Sequence, residues 1–97
     1  MTLTNKQIRS LKGLAHPLNP VVQLGKSGYS PAFIKEVGRG LKDHELIKVR
    51  LGAEDRREFE DMAARLANDA AANLVATVGR IAVLYKRGAE GKVKIKI

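Results

Sequence analysis

The fold is decided by the stretch "VVQLGKSGYSPAFIKEVGRGLKDHELIKVRL", residues 21–51. Its first residues are apolar and β-branched, which predicts a short buried strand at about 21–25. Ser30 and Pro31 have the residue types preferred at the N-cap and the first position of a helix, so a helix is predicted over roughly 31–43. The final "ELIKVRL" alternates apolar with basic residues and predicts a half-buried strand with a basic outer row.

A strand, a helix and a second strand in this order form a parallel pair with a right-handed crossover. The order is repeated downstream, where a helix at about 54–71, rich in carboxylates in its first turns, precedes strands at about 73–78 and 81–86. The Gly-Arg pair at 79–80 suits a two-residue hairpin turn with glycine first. The two β-α-β steps therefore predict two parallel pairs, closed by an antiparallel hairpin.

A further helix is predicted upstream of this unit, over residues 4–15. Thr4 and Gln7 have the spacing of a capping box at its start, and the X-Pro pairs at 16–17 and 19–20 end it. The whole chain is thus predicted to be α-β-α-β-α-β-β. This is an α/β fold, a single compact domain in which a four-stranded mixed sheet packs with three helices.

The last ten residues, "GAEGKVKIKI" (88–97), alternate lysines with Val93, Ile95 and Ile97. This pattern leaves two alternatives open, a short extra strand or a loose basic tail.

Composition limits the classes of function. The chain of 97 residues contains no cysteine, which excludes disulfides and thiolate metal sites and fits a cytoplasmic protein. No signal peptide or membrane span is expected, because no stretch approaches eighteen apolar residues. The net charge is +8, yet residues 54–70 hold six of the ten acidic residues. An uneven positive field favours a polyanionic partner, the alternative being a surface that is basic only for solubility.

The loop after the first strand resembles two phosphate-binding motifs. Gly25-Lys26-Ser27 matches the end of a P-loop, but the first glycine of that motif would fall on Pro20, which has no N–H to offer a phosphate. We therefore expect no nucleotide hydrolysis. The two histidines and the serines belong to no spaced set, so no catalytic residues, no metal, no cofactor and no small-molecule substrate are predicted.

Gly25-Lys26-Ser27-Gly28 also has the form of a GxxG turn that holds an RNA backbone. Two glycines allow positive φ and the close approach of a sugar-phosphate chain, while Lys26 offers charge and Ser27 a hydroxyl. The following helix directs its dipole and N–H groups toward the loop. With Tyr29 as the one aromatic side chain suited to base stacking, recognition of backbone and shape is expected, as in structured RNA. An ordinary strand-to-helix turn is the alternative.

The segments "LKGLAHPLNPVVQLGKSG", "HELIKVRL" and "GRIAVLYKR" closely resemble the bacterial YhbY family, the stand-alone form of the CRM domain (chloroplast RNA splicing and ribosome maturation). The resemblance covers about residues 2–87 and implies a fold related to the C-terminal domain of translation initiation factor three. It implies a CRM-type RNA-binding domain at 1–87, followed by a basic tail at 88–97. It also implies association with large-subunit ribosomal RNA in pre-ribosomal particles, assistance to ribosome assembly, and RNA contact through residues 25–28.

A wider electrostatic footprint on RNA is predicted from the other basic residues. Its candidates are Lys6, Arg9, Lys12, Lys48, Arg50, Lys86 and Arg87. An alternative function is a protein-interaction module that docks a ribosomal protein or an assembly factor through the acidic third helix. A basic peptide on a membrane surface ranks last, because no large apolar face is expected outside the core.

Overall fold

In the described part of the chain, three helices and four strands follow one another in the predicted order. The computed structural model describes residues 2–26 and 28–97, so Met1 and Ser27 lie outside the described residues. The elements are α1 (Asn5–Ala15), β1 (Pro20–Gln23), α2 (Pro31–His44), β2 (Leu46–Arg50), α3 (Arg56–Asp69), β3 (Asn73–Val78) and β4 (Ile81–Tyr85). The radius of gyration of 12.7 Å is that of a single compact domain of this length.

The caps of the first two helices are confirmed. Thr4 Oγ1 accepts from the backbone N–H of Gln7 at 3.1 Å, and the Gln7 side chain accepts from the Thr4 N–H at 2.9 Å. Ser30 Oγ accepts from the Phe33 N–H at 3.2 Å. Each cap satisfies an N–H that a helix start would otherwise leave without a partner.

The third helix is shorter than predicted. It begins at Arg56 because Asp55 is extended and serves as the N-cap, accepting from the Glu58 N–H at 2.7 Å. It ends at Asp69, and Ala71 already has a φ of +53°. The carboxylate of Asp55 therefore stabilises the helix start from outside the helix.

The strand order in the sheet is β1-β2-β4-β3, which corrects one expectation. β1 and β2 are parallel neighbours, while β4 is antiparallel to both β2 and β3. β2 and β3 therefore run in the same direction but do not pair. The second predicted parallel pair is absent because β4 matches all five residues of β2 in register and lies between the two strands.

Helices cover both faces of the sheet. α2 and α3 pack on one face, where Val49, Phe59 and Leu66 are fully buried in the larger core cluster. α1 packs on the other face, where Leu11 and Tyr85 belong to a smaller cluster. Because side chains alternate along a strand, the even-numbered residues of β2, including its basic ones, lie on the α1 side.

The tail after β4 forms neither an extra strand nor a loose end. It is held by Glu45, a residue only 1% exposed at the junction of α2 and β2. The Glu45 carboxylate accepts from the backbone N–H groups of Gly88 at 3.0 Å and of Lys94 and Ile95 at 2.8 Å each. Burial raises the pKa of this carboxyl, but the three donors and the Lys94 charge outweigh burial and lower the pKa below its ordinary value.

Candidate nucleic-acid interface

The GxxG loop is closed as a tight turn. The Gly28 N–H donates to the Gly25 carbonyl oxygen at 3.0 Å. Gly28 has a φ of +73°, a conformation that favours glycine, whereas Gly25 is not at positive φ, so one of the two glycines uses the backbone freedom that the sequence pattern allows. Among the described residues other than its chain neighbours, no atom would lie within 4 Å of a Cβ added at Gly25. The backbone conformation therefore favours glycine at position 28, whereas neither φ nor contact with the described residues calls for glycine at position 25. Ser27, predicted to contact phosphate, lies outside the described residues.

The start of α2 offers fewer donors to the loop than the sequence suggests. Pro31 has no N–H, and the N–H of Phe33 already donates to Ser30 Oγ. Of the first-turn groups, the Ala32 N–H has no helix or cap partner among the residues that the structure describes, and Ala32 lines one shallow groove with both loop glycines. The anion-binding capacity of this helix start is therefore narrow.

Tyr29 joins the loop to α3 rather than presenting an open ring. Its hydroxyl donates to Asp69 Oδ2 at 2.6 Å, and the Arg65 guanidinium lies 4.4 Å from the ring centroid. Burial, followed by the hydrogen bond to Asp69, raises the pKa of Tyr29 to about 12. Because Arg65 covers one ring face and Phe33 packs against the ring at 5.8 Å, the structure does not favour base stacking on Tyr29.

One predicted basic residue lies beside the loop, and two more follow it along the α1 side of the sheet. Arg50 pairs in register with Gln23, two residues before Gly25, and accepts the Leu24 N–H at its carbonyl at 2.9 Å. Lys48 lies two residues back on the same face of the sheet, and Lys12 lines one groove with it. We call this the loop-side basic surface, formed by Gly25, Lys26, Gly28, Lys12, Lys48 and Arg50.

Lys48 also has a structural role within this surface. Its ammonium donates to the carbonyl oxygen of His16, the residue that caps the C-terminus of α1, at 3.2 Å. A cation suits this helix end, where the dipole is negative. Lys48 is accordingly half-buried, whereas Lys12, Lys26 and Arg50 are exposed.

The remaining candidates lie away from the loop. Lys86 and Arg87 directly follow β4. They lie at the end of the sheet opposite to the one where β1 and β2 reach their C-terminal residues. The length of β4 puts about 13 Å between these two ends of the sheet. Lys6 and Arg9 are exposed on α1, and Lys6 is about 9 Å along the helix axis from Lys12. The predicted footprint is therefore divided between separate regions.

Sequence reasoning missed Arg80. Its carbonyl accepts the Leu51 N–H at 2.9 Å, which places the β3–β4 hairpin at the same sheet edge as the GxxG loop. Its guanidinium donates to the Ala53 carbonyl at 3.2 Å and lies 5.8 Å from the Phe59 ring centroid. The sequence held a signal for this placement of the hairpin, because β1, β2 and β3 run in the same direction and therefore end on the same side of the sheet. These contacts hold the segment between β2 and α3.

Within residues 2–26 and 28–97, no cluster of three or more histidine or acidic side chains could hold a metal ion. The same described residues include no helix that is both long enough and apolar enough to cross a membrane.

The chain is similar to proteins of one family. The profile of the CRS1 / YhbY (CRM) domain matches residues 3–86. A Haemophilus influenzae protein named "RNA-binding protein" is 40% identical over 94 residues, covering 97% of this chain and 95% of that one. The Bacillus subtilis "Probable RNA-binding protein YqeI" is 39% identical over 90 residues, or 93% and 94%. The solution structure of the hypothetical protein SAV1595 from Staphylococcus aureus superposes with a TM-score of 0.82 at 32% identity, covering 98% and 100%.

Proposed function

We propose, since the chain belongs to the CRS1 / YhbY (CRM) domain family, that it binds structured RNA through the loop-side basic surface and carries out no catalysis. The observation that carries the proposal is the local geometry of Gly25. Neither its φ nor its contacts with the described residues call for glycine, yet it lies in an exposed turn beside several cations. A glycine of this kind is suited to the close approach of another backbone.

The proposed mode of binding is recognition of the sugar-phosphate backbone. Phosphate oxygens would approach the turn at Gly25 and accept from the Ala32 N–H, with Lys26 supplying charge from the turn itself. Arg50 and Lys12 would contact phosphates farther along the strand. Because the described aromatic rings are packed within the protein, discrimination would rest on RNA shape rather than on stacking.

The proposed cellular role is assistance to ribosome assembly. The RNA would be large-subunit ribosomal RNA within pre-ribosomal particles in the cytoplasm. This proposal is supported by the family resemblance, in which the same GxxG loop is implied to contact RNA. The names of the relatives support RNA binding as the activity behind that role.

The test is equilibrium binding of a large-subunit ribosomal RNA fragment to the parent and to Lys26→Asp/Ser27→Asp. The parent's affinity is expected to fall log-linearly with salt, because each phosphate contact releases counterions. The loop variant is expected to lose binding while its thermal unfolding stays near that of the parent. Arg57→Asp/Asn68→Asp on α3 is the matched control, because it introduces the same change of charge at exposed positions. Binding by the folded loop variant equal to that of the control would refute the proposal.

A second function, docking of a ribosomal protein or assembly factor, is favoured by one observation. Glu58 and Asp61 on α3 are exposed and form no ion pair within the described part of the chain. A double reversal of these two charges to lysine would abolish particle association if this function holds. It would leave association intact, or strengthen it, if RNA is the partner.

A further inference from the structure

Five cationic side chains surround one hollow at the opposite end of the molecule from the GxxG loop. The hollow has a volume of about 460 Å³ and lies between the C-terminal half of α2 and the chain that follows β4. We call it the tail hollow. Its basic lining residues are Lys42, Lys86, Arg87, Lys92 and Lys94, and Asp43 is the one acidic residue that lines it.

Glu45 holds the chain segment that lines this hollow in place. Its carboxylate binds the backbone N–H groups of Gly88, Lys94 and Ile95, which folds the tail back toward the end of α2. Its carbonyl also accepts the Lys86 N–H at 2.9 Å. Because Glu45 is 1% exposed and its oxygens already accept three backbone donors, it anchors the lining without presenting its carboxylate to a ligand.

The positive charges that line the hollow outnumber the carboxylates beside them, which are those of Asp43 and Glu45. None of the five cations forms an ion pair with a carboxylate within residues 2–26 and 28–97. The ammonium groups of Lys86 and Lys94 donate to the carbonyls of Ala70 and Asp43, at the ends of α3 and α2. Attraction to helix dipoles accounts for those two and for Lys42, which is in the last turn of α2. It leaves Arg87 and Lys92, both exposed, without such an explanation.

The lining indicates which kind of ligand would fit. Ammonium and guanidinium groups are donors only, so they bind an anion. Among the described residues, no aromatic side chain lines the hollow, which disfavours a nucleobase, whereas lysine and arginine side chains both bind phosphate. Lys86 and Arg87 follow β4 and so lie about 13 Å, the length of that strand, from the edge that carries the GxxG loop. One folded RNA can reach both places.

We propose that the tail hollow is a second phosphate-binding site, which takes a backbone phosphate of the same RNA that contacts the GxxG loop. This inference rests on the proposed function for the identity of the ligand. Arg87 and Lys92 would be its main contacts, since neither is engaged with a helix end. The tail would then belong to the RNA-binding surface.

The experiment compares Arg87→Gln/Lys92→Gln with the parent in binding to a labelled hairpin RNA across a series of salt concentrations. The matched control, Arg56→Gln/Arg57→Gln, removes two charges from the start of α3. The tail variant is expected to bind about tenfold more weakly and with a shallower salt slope, because phosphate contacts are lost. The control is expected to bind like the parent. Thermal unfolding verifies that each variant is folded, and the two single variants replace the double if it is not.

In a second experiment, inorganic phosphate is titrated into the parent, and the backbone amide signals of Gly88 and Ala89 are followed by NMR. Shifts in the parent that vanish in the tail variant support the site even if the hairpin RNA does not bind, in which case the proposed function alone fails. Equal RNA affinity of the tail variant and the control would overturn the inference. If the hairpin RNA does not bind the parent, unmoved amide signals would overturn it as well.

Discussion

Replacement of Gly25 by alanine tests whether this glycine is needed for folding or for RNA binding. Since the new Cβ would meet no atom within 4 Å among the described residues beyond its chain neighbours, and Gly25 is not at positive φ, the substitution is not expected to strain the folded state. Alanine restricts the unfolded chain, so Gly25→Ala is expected to raise the free energy of unfolding by about 0.4–1 kcal/mol. The added methyl group would stand where an RNA backbone approaches, so affinity is expected to fall about tenfold, or about 1.4 kcal/mol.

Gly28→Ala is the matched comparison within the same turn. Its φ of +73° is unfavourable for alanine, so this variant is expected to lose about 1–2 kcal/mol of stability. Urea unfolding measures both stabilities, and equilibrium binding to a structured RNA measures both affinities. The reasoning is refuted if Gly25→Ala destabilises the domain by more than about 1 kcal/mol, or if it is as stable as expected and binds RNA like the parent.

The further predictions concern three buried or linking side chains. Glu45→Ala leaves three tail N–H groups without their acceptor and is expected to cost about 3 kcal/mol or more in urea unfolding. Because folding lowers the pKa of Glu45, this carboxylate contributes fully to the free energy of unfolding above its ordinary pKa of 4.5. That contribution is lost as pH falls through the lowered pKa. The same dependence of stability on pH below 4.5 in the parent and in Glu45→Gln would contradict this prediction. Tyr85 is fully buried, and its hydroxyl has no hydrogen-bond partner among the described residues, so Tyr85→Phe is expected to raise stability by about 1 kcal/mol; a loss of that size would be evidence for an unseen partner. Tyr29→Phe removes the bond to Asp69 and is expected to lower stability by about 1 kcal/mol. Because burial and this bond together raise the pKa of Tyr29 to about 12, spectrophotometric titration of the parent should show it ionising near pH 12. Ionisation near pH 10 would contradict the burial and the bonding of this hydroxyl.

The local features of the fold could be predicted because each rests on neighbouring residues. Ser30 and Pro31 placed the start of α2, and the Gly-Arg pair at 79–80 placed the final hairpin. The position of β4 between β2 and β3 could not be derived in the same way. It depends on pairing between residues that are far apart in the chain, and either order satisfies the hydrophobic pattern.

In the candidate site, too, the local motif could be predicted and the contacts between distant residues could not. The motif at 25–28 was visible in the sequence, but the sequence gives no sign that its two glycines differ in φ. Glu45 had no signal at all, because a single glutamate at the end of a helix is ordinarily a solvated charge. Its donors lie 43 to 50 residues further along the chain, so only the folded structure brings them together.

Crosslinking of the chain to RNA in cells, followed by sequencing of the bound RNA, tests the central claim most directly. The parent is predicted to recover precursor large-subunit ribosomal RNA, with the crosslinked peptide containing residues 25–28. The variant Lys26→Asp/Ser27→Asp is predicted to lose that RNA while remaining folded. Equal recovery by the two proteins, or crosslinks confined to α3, would contradict the claim.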